Sequence, residues 1–382
     1  MDTPFIYGRI AEKENFTDRE IEVDLLLQNF SGRINTVIIS PRRWGKTSLV
    51  NKAARLLVEK HKNIHVCQID IFNCRTEEEF YKVYANTILR TCTTAWEEFI
   101  VAAKKYLGRL LPIVSLSDAS QSYEFSFGID FKDPKYSYDE ILDLPETIAQ
   151  ETGKKFIICI DEFQNINEYE DPIGFQRKLR SHWQRHTDVG YCLYGSKRHM
   201  LLDIFNNYEM PFYKFGDILF LSKIEEMHWV KFISERFAST GKSISQELCK
   251  RITALSQCHP YYTQQLSQQV WLRTTGECTA HIVESAFQGV VGQLSLLFTN
   301  ILDSLTPKQI NFLIAVSKGE SSFSSKEVLS KYQLGTSANV KNLKKATLEK
   351  DLIDIQPGNK IEIQDPIFEY WLKNVYSKHT IS

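Results

Sequence analysis

Through roughly the first 220 residues, short runs of consecutive apolar residues alternate with longer stretches in which apolar positions recur every three or four residues. The runs TVIIS (36–40), IHVCQIDIF (64–72), FIICIDEF (156–163), GYCLYGS (190–196) and DILFLSKI (217–224) read as strands. Stretches between them, such as TSLVNKAARLLVEKH and TEEEFYKVYANTIL, read as helices. Near-continuous apolar strands separated by helices predict a parallel sheet covered on both faces. LPIVSLS (111–117) and YEFSFGID (123–130) break this rhythm. With a Ser/Asp-rich turn between them they predict a hairpin-like insertion, with Tyr123, Phe125, Phe127 and Ile129 on one face.

Beyond about residue 225 the strand signal stops. EMHWVKFISERFA, SQELCKRITALSQ and YYTQQLSQQVWLRTT have the helical period and predict a compact helical module. From Leu305 onward, TPKQINFLIAVSKG, SSKEVLSKYQ and SANVKNLKKATLEKDL predict three helices. DLIDIQPGNKIEIQD then predicts a β-ribbon turning at Pro357-Gly358-Asn359. Three helices and a ribbon make a winged-helix pattern. In IQDPIFEYWL, Asp365 is a good helix cap and Pro366 suits a first turn, while Ile363, Ile367, Phe368, Trp371 and Leu372 read as core.

Length and composition agree with a folded chain of several domains. The 382 residues are 43% hydrophobic and 24% charged with a net charge of −1, so no global field points to nucleic acid or an acidic membrane. The charged N-terminus is unlike a signal peptide, and no uninterrupted apolar run is long enough to cross a bilayer. The eight cysteines are scattered without a C-x-x-C pair, which favours buried reduced thiols over a metal site or a disulfide framework. A cytoplasmic protein is the expectation.

The chemistry concentrates in ISPRRWGKTSLV, Ile39 to Val50. A strand, a loop and then Gly45-Lys46-Thr47 opening a helix make the context in which G-x-x-x-x-G-K-[ST] holds phosphates. Loop and helix N–H groups converge on the phosphate oxygens, Lys46 reaches the β- and γ-phosphates, and the Thr47 hydroxyl meets Mg²⁺. Ser40 stands where that pattern has its first glycine, and serine is small enough for the turn. Asp161-Glu162 ends another apolar strand. There Asp161 is placed to hold Mg²⁺ through water and Glu162 to act as general base on the attacking water. Because IHVCQIDIF falls between these two motifs in sequence, an additional strand is expected between the phosphate strand and the Asp-Glu strand. Gly195-Ser196 ends the next strand, where a polar residue can sense the γ-phosphate; Lys197 and Arg198 are either part of that or a solvated turn.

Taken together, PFIYGRIAEKENFTDREIE, SPRRWGKTSL, FIICIDEFQNI, LYGS, CHPYY and IQDPIFEYWL resemble, in order, the archaeal-type ATPases of the STAND branch of AAA+ P-loop NTPases. The resemblance implies an α/β P-loop NTPase parallel sheet (1–224), a helical lid (225–300) and a C-terminal winged-helix domain (301–382). It implies that Phe16 and Arg19 lie on the adenine side and that Pro41, Arg42, Arg43 and Trp44 fill the phosphate loop ahead of Ser48. It also implies that Pro260, after Cys258-His259, packs on the base. Cys258 departs from the family, which commonly has glycine there. Preference for adenine rests on this resemblance alone. Arg177, Lys178, Arg180 and Arg185 are candidates for an arginine finger or a solvated helix face.

The expected activity is that of an ATP-binding switch with slow Mg²⁺-dependent hydrolysis and a protein partner or self-association. One alternative is a DNA-associated, initiator-like ATPase using Lys341, Lys344 and Lys345 of the third winged-helix helix, although the region from residue 300 has balanced charge and no arginine. Another is a nucleotide-stabilised scaffold without turnover.

Overall fold

A computed structural model describes residues 3–11, 13–93, 96–107, 111–116, 123–128 and 138–377. The chain forms two compact units, one of Arg19–Ser222 and one joining Met1–Asp18 to Lys223–Ser382.

In the first unit the apolar runs become β1 (Thr36–Ile39), β2 (Ile64–Asp70), β5 (Lys155–Asp161), β6 (Val189–Gly195) and β7 (Asp217–Phe220). They form one parallel sheet in the order β2-β5-β6-β1-β7. Every residue of β1 and β6 is buried, as expected of central strands covered on both faces. An additional strand does separate the phosphate strand β1 from the Asp-Glu strand β5, but it is β6. The expected IHVCQIDIF strand, β2, lies instead at the edge beside β5. Sequence order misleads here because a crossover helix can carry the chain past positions that are filled later.

The helices of this unit are α1 (Glu20–Gly32), α2 (Lys46–Lys60), α3 (Glu77–Cys92), α4 (Trp96–Leu107), α5 (Tyr138–Leu142), α6 (Leu144–Thr152), α7 (Pro172–Trp183) and α8 (Arg198–Asn206). Thr76 caps α3 and Asp171 caps α7 through backbone N–H groups of the first turn. An aromatic cluster of Phe80, Tyr84, Phe163, Phe175, Trp183, Tyr191, Phe212 and Phe215 fills one side of the sheet, with Trp183 stacked on Tyr191 at 4.2 Å. The insertion is an antiparallel pair, β3 (Leu111–Leu116) and β4 (Tyr123–Gly128). Its Ser/Asp-rich turn and Ile129 lie outside the described residues.

The second unit begins with α9 (Glu226–Ala238), α10 (Gln246–Leu255), α11 (Pro260–Arg273) and α12 (Ala280–Asp303). It continues through α13 (Pro307–Ser317), α14 (Lys326–Lys331) and α15 (Ser337–Glu349) to the ribbon β8 (Ile353–Gln356) and β9 (Lys360–Ile363), then α16 (Pro366–Trp371). These elements share one core, in which Phe5 from the N-terminal segment packs against Phe232 and Phe237. The cap expected at Asp365 is present, accepting from Ile367 N and Phe368 N. Thr306 and Gln309 form a reciprocal capping box at the start of α13.

By length and mean hydropathy α12 is apolar enough to cross a membrane, although Glu284, Gln288, Gln293 and Asn300 interrupt its apolar run. Its residues Val283, Phe287, Val290, Val291, Phe298 and Leu302 are buried in this unit's core.

Candidate nucleotide site

The carboxyl ends of β1, β5 and β6 bring the predicted phosphate loop and the Asp-Glu pair to one edge of the sheet. In open α/β sheets this is the edge where ligands bind. After β1 the chain turns through Ser40, Pro41, Arg42, Arg43 and Trp44 to Gly45, which precedes α2. Gly45 has φ 89°, in the left-handed region that glycine enters without strain. Arg43 also has positive φ, 63°.

Lys46 is buried, and its ammonium donates to Ser40 O at 3.2 Å, Ser40 Oγ at 3.3 Å and Pro41 O at 2.9 Å. Burial is the main cause that lowers its pKa to about 8. Glu162 and Asp161 pull it upward, and Arg42 pushes it down. Ser40 therefore does more than tolerate the turn, because its hydroxyl gives the buried ammonium an acceptor that glycine lacks. Ser48 is buried within the first turn of α2.

The Thr47 hydroxyl donates to Asp161 Oδ2 at 2.9 Å, tying the first turn of α2 to the end of β5. Asp161 Oδ1 accepts from the backbone N–H of Glu162 at 2.8 Å. Burial pushes the Asp161 carboxyl up to about 6. The bond from Thr47 and the N–H of Glu162 lower it, while the Glu162 charge adds to the rise. A hydroxyl and one carboxylate side by side are a donor set that fits Mg²⁺, which takes few protein oxygens and completes its shell with phosphate and water. Among the described residues no cluster of three or more His, Cys, Asp or Glu is placed to hold a metal.

Glu162 has φ 54°, a left-handed conformation that costs a non-glycine residue about 1–3 kcal/mol. Its Oε2 accepts from Ser196 Oγ at 2.8 Å, Ser196 N at 3.1 Å and Gln164 Nε2 at 2.5 Å. The Arg42 Nε donates to the same Ser196 hydroxyl at 3.3 Å. Ser196 follows β6, which explains why it reaches both the loop after β1 and the end of β5. Gln164 is a contact that the sequence reading did not name. Its only signal was its place two residues after Glu162.

Several candidates have other work. Arg19 is buried, with its guanidinium on Glu22 at 2.8 Å and on Ser222 O at 2.6 Å. Lys197 pairs with Glu168, Lys178 with Glu77, and Arg185 with Asp143. Arg180 lies over the Phe215 ring. Arg177 is exposed on α7 and has no ion-pair partner among the described residues.

Phe16 and Pro260 both belong to the second unit. There Gln264, one turn after Pro260 on α11, donates to Asn15 O at 3.3 Å and accepts from Ile6 N at 3.2 Å. Gln268 donates to Phe5 O at 3.0 Å. Two glutamines thus bind the N-terminal segment to α11. On α15, Lys341 and Lys345 are exposed; Lys345 has Glu349 at 3.8 Å, and Lys344 lies over the Phe323 ring.

The fold and its strand-loop-helix define an α/β P-loop NTPase domain followed by a C-terminal winged helix. The KAP family P-loop domain matches residues 43–170, and a probable winged helix domain matches residues 296–374. Among solved structures, a Walker-type ATPase of Pyrococcus abyssi superposes with a TM-score of 0.68 at 18% identity, covering 97% of this chain and 99% of that one. The ORC2 protein of Aeropyrum pernix, in its ADPNP-ADP complexes, gives a TM-score of 0.57 at 12% identity over 99% of this chain and 100% of that one. At these identities the likeness is one of fold. Among curated proteins no sequence matches this chain.

Proposed function

We propose that this protein is an ATP-binding molecular switch of the STAND type with slow Mg²⁺-dependent ATP hydrolysis. The observation that carries the reading is the convergence of Lys46, Thr47, Asp161 and Glu162 on one sheet edge, linked by the 2.9 Å bond from Thr47 to Asp161. In this reading the loop from Ser40 to Ser48 holds the phosphates, and Lys46 leaves the carbonyls of Ser40 and Pro41 for the β- and γ-oxygens. Thr47 and Asp161 would hold Mg²⁺, whose contribution is to offset charge on the phosphate oxygens. Glu162 takes a proton from water as the water oxygen bonds to the γ-phosphorus. The bond from that phosphorus to its bridging oxygen breaks, and the electron pair leaves with ADP.

We read residues 225–300 as a lid, with Pro260 and Phe16 on the adenine side. The Gln264 bond beside Phe16 supports a shared surface within that unit. Arg19, spent on Glu22 and Ser222, fits a structural role better than an adenine contact. The ADPNP-ADP complexes of the Aeropyrum pernix ORC2 protein support an adenine nucleotide here. A cytoplasmic site of action, and a protein partner or a second copy receiving the switch, belong to the same reading. Arg177 is the arginine we favour for action on a neighbouring subunit.

The test is to denature the isolated protein, identify any released nucleotide, and assay phosphate release beside Glu162→Gln. Bound ADP with slow turnover that the variant loses supports the switch. Bound ADP without turnover favours the scaffold reading. The exposed Lys341 and Lys345 on α15 favour a second reading, association with duplex DNA. Salt-sensitive retention on duplex DNA that is lost on neutralising Lys341, Lys344 and Lys345 would support it.

A further inference from the structure

Glu162 is held asymmetrically. Three donors converge on Oε2, two from Ser196 and one from Gln164, while Oε1 accepts no hydrogen bond among the described residues. A carboxylate anchored through one oxygen keeps the other at a fixed place, which is what a base acting on a positioned water requires. We propose that Gln164 and Ser196 are the positioning residues of Glu162, fixing Oε2 so that Oε1 alone receives the proton of the attacking water. The proposal rests on the reading of Glu162 as the base.

Two further residues hold this arrangement. Gln164 is buried, and a Cβ at Gly195 would lie 1.8 Å from its Oε1, so the bare backbone of Gly195 makes the room its amide occupies. The glycine in LYGS is thereby explained by a side chain from another segment, since its own backbone has no positive φ. Arg42 determines which way the Ser196 hydroxyl points. A hydroxyl that accepts from Arg42 Nε has its single proton left for Glu162. A residue of the phosphate loop is thus joined to the base through one hydroxyl.

The test uses the full chain with ATP and Mg²⁺, measuring steady-state and single-turnover phosphate release for Gln164→Ala, Ser196→Ala, Ser196→Thr and Gly195→Ala. ADP affinity reports whether each variant is folded. Gln164→Ala and Ser196→Ala should each lower kcat about 10- to 100-fold, the scale of a misplaced reacting group, with KM within about twofold. Ser196→Thr, which keeps the hydroxyl, should restore most of the rate. Gly195→Ala should reproduce the loss of Gln164→Ala, and the two together should cost no more than either alone. In a Glu162→Gln background, Gln164→Ala should have no further effect.

An unchanged or raised kcat in Gln164→Ala, or an undiminished loss in the Glu162→Gln background, overturns the proposal while the base reading stands. Full turnover by Glu162→Gln alone overturns the base reading itself. Should Gly195→Ala lose ADP binding, the Ser196→Ala and Ser196→Thr pair decides.

Discussion

The two ends of β5 and β6 both hold carboxylates at least partly shielded from water, yet they are satisfied differently. Where β6 begins, Glu146 accepts from Thr187 N, Thr187 Oγ1 and Gln150 Nε2 on one oxygen and from Asp188 N on the other. Beside it, Asp143 lies between His182 at 2.8 Å and His186 at 3.0 Å. Burial pushes the Asp143 carboxyl up, but the bonds from His186 and His182 outweigh it and leave it below the usual range. Where β6 ends, burial wins, and Asp161 is pushed up to about 6. Among the described residues Glu162 has three donors on one oxygen and none on the other. On the proposed reading of Glu162 as the base, what distinguishes its end of the sheet is incomplete satisfaction rather than burial of charge.

The comparison can be broken by substitution at either end. The largest effect expected is on turnover: Glu162→Gln should slow phosphate release about 10²- to 10⁴-fold with ATP affinity kept, measured by single-turnover assay and equilibrium binding. Lys46→Ala should weaken ATP binding about 100-fold, since charge-assisted bonds to the phosphates are each worth about 1.5–3 kcal/mol. At the opposite end the readouts exchange. Glu146→Gln should cost about 1–3 kcal/mol of stability in a denaturant titration, because donors of Thr187 and Asp188 lose a charged acceptor, while kcat stays unchanged. A turnover defect there would show that the two ends do not divide as described.

pH sharpens the same contrast. The folded pKa of Lys46 lies near 8, below its unfolded value of 10.5. The cost of charging it in the nucleotide-free fold is therefore fully present below pH 8 and is relieved as pH rises from 8 toward 10.5. Bound triphosphate favours the ammonium, so nucleotide binding between about pH 8 and 10 should take up a proton and weaken as pH rises. Calorimetry in buffers of different ionisation enthalpy measures that uptake. The smallest effect is expected at the loop's unusual residue: Ser40→Gly removes one of three acceptors for Lys46 and should change ATP affinity by no more than about threefold.

Much of this edge was legible because its determinants are local. A strand, a loop and Gly45-Lys46-Thr47 carry their own geometry, as does an apolar strand ending in Asp161-Glu162. The parallel α/β sheet and the winged helix followed from periodicity in the same way. The position of β6 between β1 and β5 was not legible, since crossovers do not record spatial order, and it is this position that brings Ser196 to Glu162. Gln164 was missed because its bond depends on the backbone reversing at Glu162 and on Gly195 leaving space. The helix α12 went unnamed because Gly289, Gly292 and a broad apolar surface blur its period. The departure at Ser40 was visible, but the ammonium it accepts was not.

The measurement that tests the account most directly is single-turnover hydrolysis of ATP by the intact chain with Mg²⁺, beside Glu162→Gln, with ATP binding measured on the same preparations. The account predicts that both proteins bind ATP alike and that Glu162→Gln releases phosphate about 10²- to 10⁴-fold more slowly than the unsubstituted chain. Equal phosphate release from the two, or no ATP binding by either at millimolar concentrations, would contradict it.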